Sequence, residues 1–254
     1  IESDLTIGIG TPEDMAKQAI EFVAKGVKMI KVKKHGVILE QTATSFENEG
    51  VLNPAVIKVG NTIHLFYRAV TKDNYSTIGY CALSAPMVIR ERAEVPVLFP
   101  QAEYEFKGLE DPRIVKIEDT YYLSYTAFNG INALGALATS KDLVHWEKHG
   151  IIVPEITYEE FKHFTETDST GHEKYLRFND YQKSHQSQER KIFLWDKNLI
   201  FFPRKIDNKF CFLHRIKPDI QIVVAIEKLE DLTNSFMIRM TRFSRMHMPS
   251  CLNN

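Results

Sequence analysis

Asn53-Pro54-Ala-Val-Ile-Lys-Val-Gly-Asn-Thr-Ile-His-Leu-Phe-Tyr67-Arg68-Ala69 and Asp111-Pro112-Arg-Ile-Val-Lys-Ile-Glu-Asp-Thr-Tyr-Tyr-Leu-Ser-Tyr125-Thr126-Ala127 align without a gap, 58 positions apart. Each copy is a β-prone run, a Gly-Asn or Glu-Asp turn and a second β-prone run, the pattern of a hairpin. A third copy, Phe202-Pro203-Arg-Lys-Ile-Asp-Asn-Lys-Phe-Cys-Phe-Leu-His214-Arg215, fits with two residues deleted at its turn. On that alignment Phe202 takes the place of Asn53 and Asp111. Each hairpin is followed by another β run, Ile78–Ser84, Leu134–Ser140 and Ile220–Ile226. A unit of about four strands that recurs in this way predicts propeller blades, because blades are built from repeated small sheets. A sandwich of hairpins is the alternative, and it does not need repeated sequence.

Two stretches fall outside the repeat. Residues 1–33 read as strand, helix, strand: Thr11-Pro12-Glu13-Asp14 is a helix start and Lys25-Gly26 a helix stop. The expectation there is a βαβ segment. Residues 233–254 lose the pattern and read as an out-of-register tail. The domains expected are therefore 1–33, a partial propeller over 34–232 with about three blades, and the tail. Thr157–Arg190 is polar, with poor periodicity, and reads as a surface insertion with some helix.

Composition narrows the function classes. The net charge is −1 over 254 residues, so no electrostatic signal points to nucleic acid or an anionic membrane. No apolar run has the length of a membrane-spanning helix. Cys81, Cys211 and Cys251 are far apart and odd in number, which gives neither a disulfide framework nor a metal site. With no basic-then-apolar leader in view, the expectation is a reduced, cytoplasmic protein without metal or organic cofactor.

The densest chemistry is Gly108-Leu109-Glu110-Asp111-Pro112-Arg113. It opens a repeat, and equivalent strand starts in a propeller gather around the axis. Two adjacent carboxylates beside an arginine suit acid–base work, although they also suit a simple ion-paired turn.

These motifs occur in one order: Glu49-Gly-Val-Leu-Asn53-Pro54, Phe66-Tyr67-Arg68-Ala69, Gly108-Leu-Glu-Asp-Pro-Arg113, Tyr125-Thr126-Ala127-Phe128, Ala138-Thr-Ser-Lys-Asp-Leu143 with Trp146, Phe202-Pro203-Arg204-Lys205 and Leu213-His214-Arg215. The string resembles glycoside hydrolase family 130, the inverting β-mannoside phosphorylases and hydrolases, over about residues 36–233. The resemblance implies a five-bladed propeller with a sugar pocket at its axis and a β-mannoside oligosaccharide as substrate. It implies Asp111 as general acid, with Asn53, Arg68, Glu110, Arg113 and Tyr125 toward the sugar. It also implies Lys205, His214 and Arg215 toward inorganic phosphate, the co-substrate of a phosphorylase. Leu134 stands roughly where many phosphorylases carry an arginine, which leaves hydrolysis open. About three blades can be counted, so a carbohydrate-binding remnant without turnover is the competing expectation. Residues 1–33, ending in Lys31-Val-Lys33, resemble the barrel start of an enolase-superfamily dipeptide epimerase. That chemistry needs metal-binding carboxylates from later strands, so epimerase activity is not expected.

Overall fold

The computed structural model describes residues 34–165, 192–216 and 220–224. The expected βαβ segment, the tail and most of the 157–190 insertion lie outside the described residues. All but the first few described residues belong to one compact unit, Val37–Arg245.

Among the described residues, eleven strands form three antiparallel units. The first runs β1 (Gly50–Val59), β2 (Thr62–Thr71), β3 (Tyr75–Ala85) and β4 (Val88–Arg92). The second repeats it with β5 (Gly108–Ile117), β6 (Thr120–Phe128), β7 (Ala133–Ser140) and β8 (Glu147–Ile151). The third supplies β9 (Asp196–Phe201), β10 (Cys211–Ile216) and β11 (Gln221–Val224). Within each unit neighbouring strands pair in sequence order, as the repeated hairpins predict.

Adjacent units touch through one parallel bridge each, Ser76 with Gly108 and Leu134 with Asp196. That arrangement is three propeller blades with β1, β5 and β9 as their first strands. Blade faces pack against one another through apolar seams. Phe66, Ile78, Leu109, Leu123 and Ala136 are among those filling the first. Leu134, Leu137, Leu199, Phe201 and Phe212 are among those filling the second. A comparison within the chain shows what the packing does. Val56 on β1 is 53 % exposed, whereas its repeat partner on β5, Ile114, is half-buried against the first blade.

Each of the first two blades contains the same buried polar device. In blade one the Tyr67 hydroxyl donates to Glu47 Oε2 at 2.7 Å, and Arg92 Nη2 meets Glu47 Oε1 at 2.9 Å. In blade two the Tyr125 hydroxyl donates to Glu105 Oε1 at 2.7 Å, and Lys148 pairs with Glu105 Oε2. Burial, and then the neighbouring Glu105 charge, push the Tyr125 phenol far above its ordinary range, so it stays a donor. A carboxylate taken out of water needs both a cation and hydrogen-bond donors, and each blade provides them.

The insertion begins with helix. Helix α1 (Tyr158–Thr165) opens with a reciprocal cap: the Glu160 backbone N–H donates to Thr157 Oγ1, and Thr157 N and Oγ1 donate to Glu160 Oε2. Phe161 then packs with Leu194 and Ile216 of the third blade region.

Gly108 lies where only glycine fits. Its φ is +140°, and a Cβ there would stand 2.6 Å from the Ser76 backbone nitrogen. Gly60, at φ +58°, has nothing within 4 Å of such a Cβ. Gly60→Ala is therefore expected to cost about 1–2 kcal/mol from backbone strain alone. Gly108→Ala costs more, because the inter-blade bridge must also open; urea midpoints of the two variants check the order. Tyr125→Phe leaves one lone pair of a buried carboxylate unmet and should cost about 1–3 kcal/mol by the same measurement.

Candidate functional site

The three first strands share an irregularity near their starts. In β1 the pairing slips between Leu52 and Ala55, opposite Arg68 and Phe66. In β5 it slips between Glu110 and Arg113, opposite Thr126 and Ser124. In β10 it slips between Leu213 and Arg215, opposite Ile200 and Lys197 on β9. Each is a bulge, two residues facing one, and each opens on a residue in the left-handed region: Asn53 at φ 46°, Asp111 at φ 49° and Asn198 at φ 60°. Asparagine and aspartate adopt that conformation more readily than other side-chain-bearing residues. Pro54 and Pro112 follow in the first two blades, where a bulge residue has no ladder partner and needs no N–H.

The strand register corrects the sequence alignment of the third copy. Asn198, not Phe202, is the equivalent of Asn53 and Asp111. Phe202-Pro203 follows the end of β9 and belongs to the turn. The third hairpin is longer by two residues at its turn, not shorter.

Bulges re-aim side chains, and here they bring blades one and two together. Asn53 Nδ2 donates to Asp111 Oδ1 at 2.5 Å. Arg68 Nη2 meets Glu110 Oε1 at 2.8 Å, and its Nη1 lies 3.9 Å from Asp111 Oδ1. The guanidinium is held from behind by Ser76 Oγ at 2.8 Å and Asn74 Oδ1 at 3.0 Å. Blade three adds Lys197, whose Nζ lies 3.9 Å from Glu110 Oε2 and 5.4 Å from the centre of the Trp195 ring. Side-chain exposure is 12 % for Arg68, 10 % for Glu110 and 14 % for Asp111. These groups are therefore mostly desolvated, and each keeps a small share of its side chain in contact with water. Such a constellation can bind hydroxyl-rich ligands through charge-assisted hydrogen bonds and can present a carboxyl group for proton transfer.

The other expected residues are placed differently. Arg113 Nη1 donates to the carbonyl of Pro112 at 2.7 Å, satisfying a bulge carbonyl that the ladder leaves open. Tyr125, 2 % exposed, is committed to Glu105 inside its blade. His214 is its counterpart in blade three: buried, with Nδ1 at 2.7 Å from Asp196 Oδ1. Arg215 pairs across the ladder with Lys197 and is the third-blade equivalent of Arg68; its Nε is buried with no partner among the described residues. Lys205 is elsewhere. Its Nζ is 3.1 Å from Glu118 Oε1, at the hairpin turn of blade two. Seven residues of strand separate that turn from Asp111, about 20 Å at ~3.3 Å per residue. Lys205 therefore does not join the acid, and the third-blade cation that approaches its neighbour Glu110 is Lys197, which the sequence reading missed. Its signal was the Asp196-Lys197-Asn198 run just ahead of the third hairpin's turn. The Ser140–Leu143 motif is a turn: Asp142 Oδ1 accepts from the backbone of Val144 and His145. Among the described residues no group of His, Cys, Asp and Glu is arranged to hold a metal ion.

Comparison with known proteins agrees with this architecture. A family model for glycoside hydrolase family 130, described as β-1,4-mannooligosaccharide phosphorylase, matches residues 29–174. A 1,2-β-oligomannan phosphorylase of Thermoanaerobacter sp. strain X514 is 29 % identical over 218 residues, 82 % of this chain and 59 % of that protein. A β-1,2-mannobiose phosphorylase of the same strain is 40 % identical over 126 residues, 43 % of this chain and 41 % of that protein. Among solved structures, a glycoside hydrolase from Bacteroides ovatus ATCC 8483 gives a TM-score of 0.58 at 24 % identity, covering 80 % of this chain and 58 % of that one. A family 130 protein, from work on hydrolases that target β-1,2-mannosidic linkages in Candida mannan, gives 0.57 at 20 % identity, covering 78 % and 55 %. The chain thus spans little more than half the length of the oligomannan phosphorylase and of these two structures, whose likeness shows a fold of the five-bladed-propeller kind. On the family match over more than half its length, the chain belongs to glycoside hydrolase family 130.

Proposed function

We propose that these blades carry the acid-catalytic side of an inverting enzyme acting on β-mannosides, by phosphorolysis or hydrolysis. The observation that carries the proposal is the meeting of two bulges at Asp111. Its Oδ1 accepts from Asn53 at 2.5 Å, with Arg68 beyond, and its side chain keeps 14 % exposure. Held in this way, Oδ2 is left to face the substrate as the proton-bearing oxygen. In the reaction, a phosphate oxygen, or a water oxygen that gives up one proton to solvent, forms a bond to the anomeric carbon. The bond from that carbon to the departing sugar oxygen breaks with its electron pair. The Asp111 proton passes to that oxygen, directly or through a sugar hydroxyl. Inversion follows from attack on the face opposite the departing group.

Asn53, Arg68 and Glu110 are the proposed sugar-side contacts. Lys197 and Arg215 are the proposed anion-side cations, since Lys197 approaches Glu110 and Arg215 pairs with Lys197 across the ladder, in the place that Arg68 takes in blade one. Inorganic phosphate is then co-substrate, with no metal or organic cofactor, and the protein works in the cytoplasm. The competing reading is carbohydrate binding without turnover.

Asp111→Asn keeps the shape and removes the proton. It is expected to lower turnover of a β-1,2-mannoside by roughly 10²–10⁴-fold without a fall in melting temperature. Unchanged turnover would remove Asp111 from the mechanism, and sugar binding without turnover in the wild-type chain would establish the competing reading. Phosphate-dependent release of mannose 1-phosphate identifies a phosphorylase, and release of free mannose a hydrolase. In the phosphorylase case, Arg215→Ala should raise the KM for phosphate, while Lys205→Ala should leave it within about twofold of wild type because its charge is spent on Glu118.

A further inference from the structure

Blade three departs from the other two at the residue that follows its left-handed bulge position. That residue is Pro54 in blade one, Pro112 in blade two and Leu199 in blade three. A proline ring fixes its own φ, so the first two bulges carry part of their rigidity in the chain itself. Blade two adds a second fastening, the Pro112 carbonyl accepting from Arg113 Nη1. Blade three has neither. At the register place of Arg113 it has Ile200, whose side chain can donate nothing. The missing fastening comes from outside the blade. Ser124 Oγ on β6 donates to the Leu199 carbonyl at 2.6 Å. Ser124 is 1 % exposed and Leu199 2 %, so water does not compete for the bond. The Leu199 side chain is seated against the same blade, where a Cβ on Gly135 of β7 would overlap it. At the register place of Ser124, blade one has Phe66, which has no hydroxyl, and the bulge of its neighbour, blade two, already has proline.

We propose that Ser124 is a positioning residue: it locks the third-blade bulge to blade two and thereby fixes the aim of Lys197, two residues before Leu199. The approach of Lys197 to Glu110, at 3.9 Å, crosses the same junction between blades. The bulge interrupts the ladder between the Lys197–Arg215 and Ile200–Leu213 pairs, so the ladder alone does not set its geometry. Without the hydroxyl, a buried carbonyl loses its donor and the bulge relaxes toward another. Lys197 then keeps its charge and loses its reach. This inference rests on the function proposed above, in which Lys197 stands on the side of the attacking anion.

Full-length Ser124→Ala, Ser124→Thr, Lys197→Met and the Ser124→Ala/Lys197→Met double variant test it, with Ser140→Ala as control. Ser140 is buried in the same blade, but it pairs with Tyr121 at the far end of β6, and its Oγ accepts from the backbone of Asp142 and Leu143 at a turn. Turnover of β-1,2-mannobiose in phosphate buffer and melting temperature are measured for each. Ser124→Ala is expected to lower kcat/KM by roughly five- to tenfold. Ser124→Thr keeps the hydroxyl and should return kcat/KM to within about twofold of wild type. Ser140→Ala should lower the melting temperature and leave kcat/KM unchanged. In the Lys197→Met background, adding Ser124→Ala should lower kcat/KM by less than about twofold, because the residue it aims is no longer a cation. If Ser124→Ala behaves as Ser140→Ala does, or if its effect is undiminished beside Lys197→Met, the positioning role falls and the proposed function stands. A Ser124→Thr variant that melts as wild type but stays as slow as Ser124→Ala would also overturn it. A wild-type chain that turns over no β-mannoside removes the proposed function and this inference with it.

Discussion

Glu110 is a carboxylate with a tenth of its side chain in contact with water, and the cations that offset its charge come from other blades. Arg68 reaches it from blade one at 2.8 Å and Lys197 approaches from blade three at 3.9 Å. A buried charge left alone costs several kcal/mol, so this carboxylate is tolerable only when three blades are seated together. Assembly of the sheet and assembly of the site are therefore one event. The close backbone approach of Gly108 to Ser76 serves both ends: it joins the blades, and it places the Ser76 hydroxyl that holds the Arg68 guanidinium.

The repeat separates what the fold needs from what the site needs. Inside the blades the two copies agree in kind: Glu47, Tyr67 and Arg92 in one, Glu105, Tyr125 and Lys148 in the next, carboxylate, phenol and cation each time. Blade three keeps the idea in smaller form as Asp196 with His214. At the axis the same register positions diverge. Leu52, Glu110 and Lys197 occupy one position; Arg68, Thr126 and Arg215 another; Asn53, Asp111 and Asn198 a third. A repeated scaffold has kept its interior polar clamps and varied the groups that face the shared centre. Tyr125 belongs to the first set, which is why an expectation drawn from its place in a motif put it toward the sugar while the structure commits it to Glu105.

Much of this was legible in the sequence. The hairpins, their turns and the ungapped 58-residue spacing fixed the blade and its register, because alternating β runs with turn residues admit few other readings. Asn53 and Asp111 stood out by position in the repeat, Arg68 and Glu110 by the resemblance, and the structure brings these four together. The third copy was misread for a physical reason. Proline marks the bulge in the first two blades, so Pro203 drew the alignment toward itself. A bulge tolerates proline without requiring it, and blade three has Leu199 there, followed by a longer turn containing Pro203. The error hid Lys197 and Asn198 as the third-blade counterparts of Glu110 and Asp111. The mate of each buried carboxylate was also beyond sequence reasoning, since Glu47 and Arg92 meet only through folding.

The bulge itself explains why the site is where it is. Along a regular strand, successive side chains point to opposite faces, so Glu110 and Asp111 could not both approach one guanidinium. Arg68 nevertheless lies within 2.8 Å of the first and 3.9 Å of the second. Turning one residue into the left-handed region breaks the alternation and aims both carboxylates to the same side. The conformation costs about 1–3 kcal/mol at a residue with a side chain, less for asparagine and aspartate, and persists only where surrounding contacts enforce it. At Asp111 those contacts are Asn53 from the neighbouring bulge and the ladder that resumes at Arg113. The strain, the residue type and the carboxylate pair thus have a single cause: two acidic groups from adjacent positions are needed on one face, and a strand can deliver them only by breaking its own period.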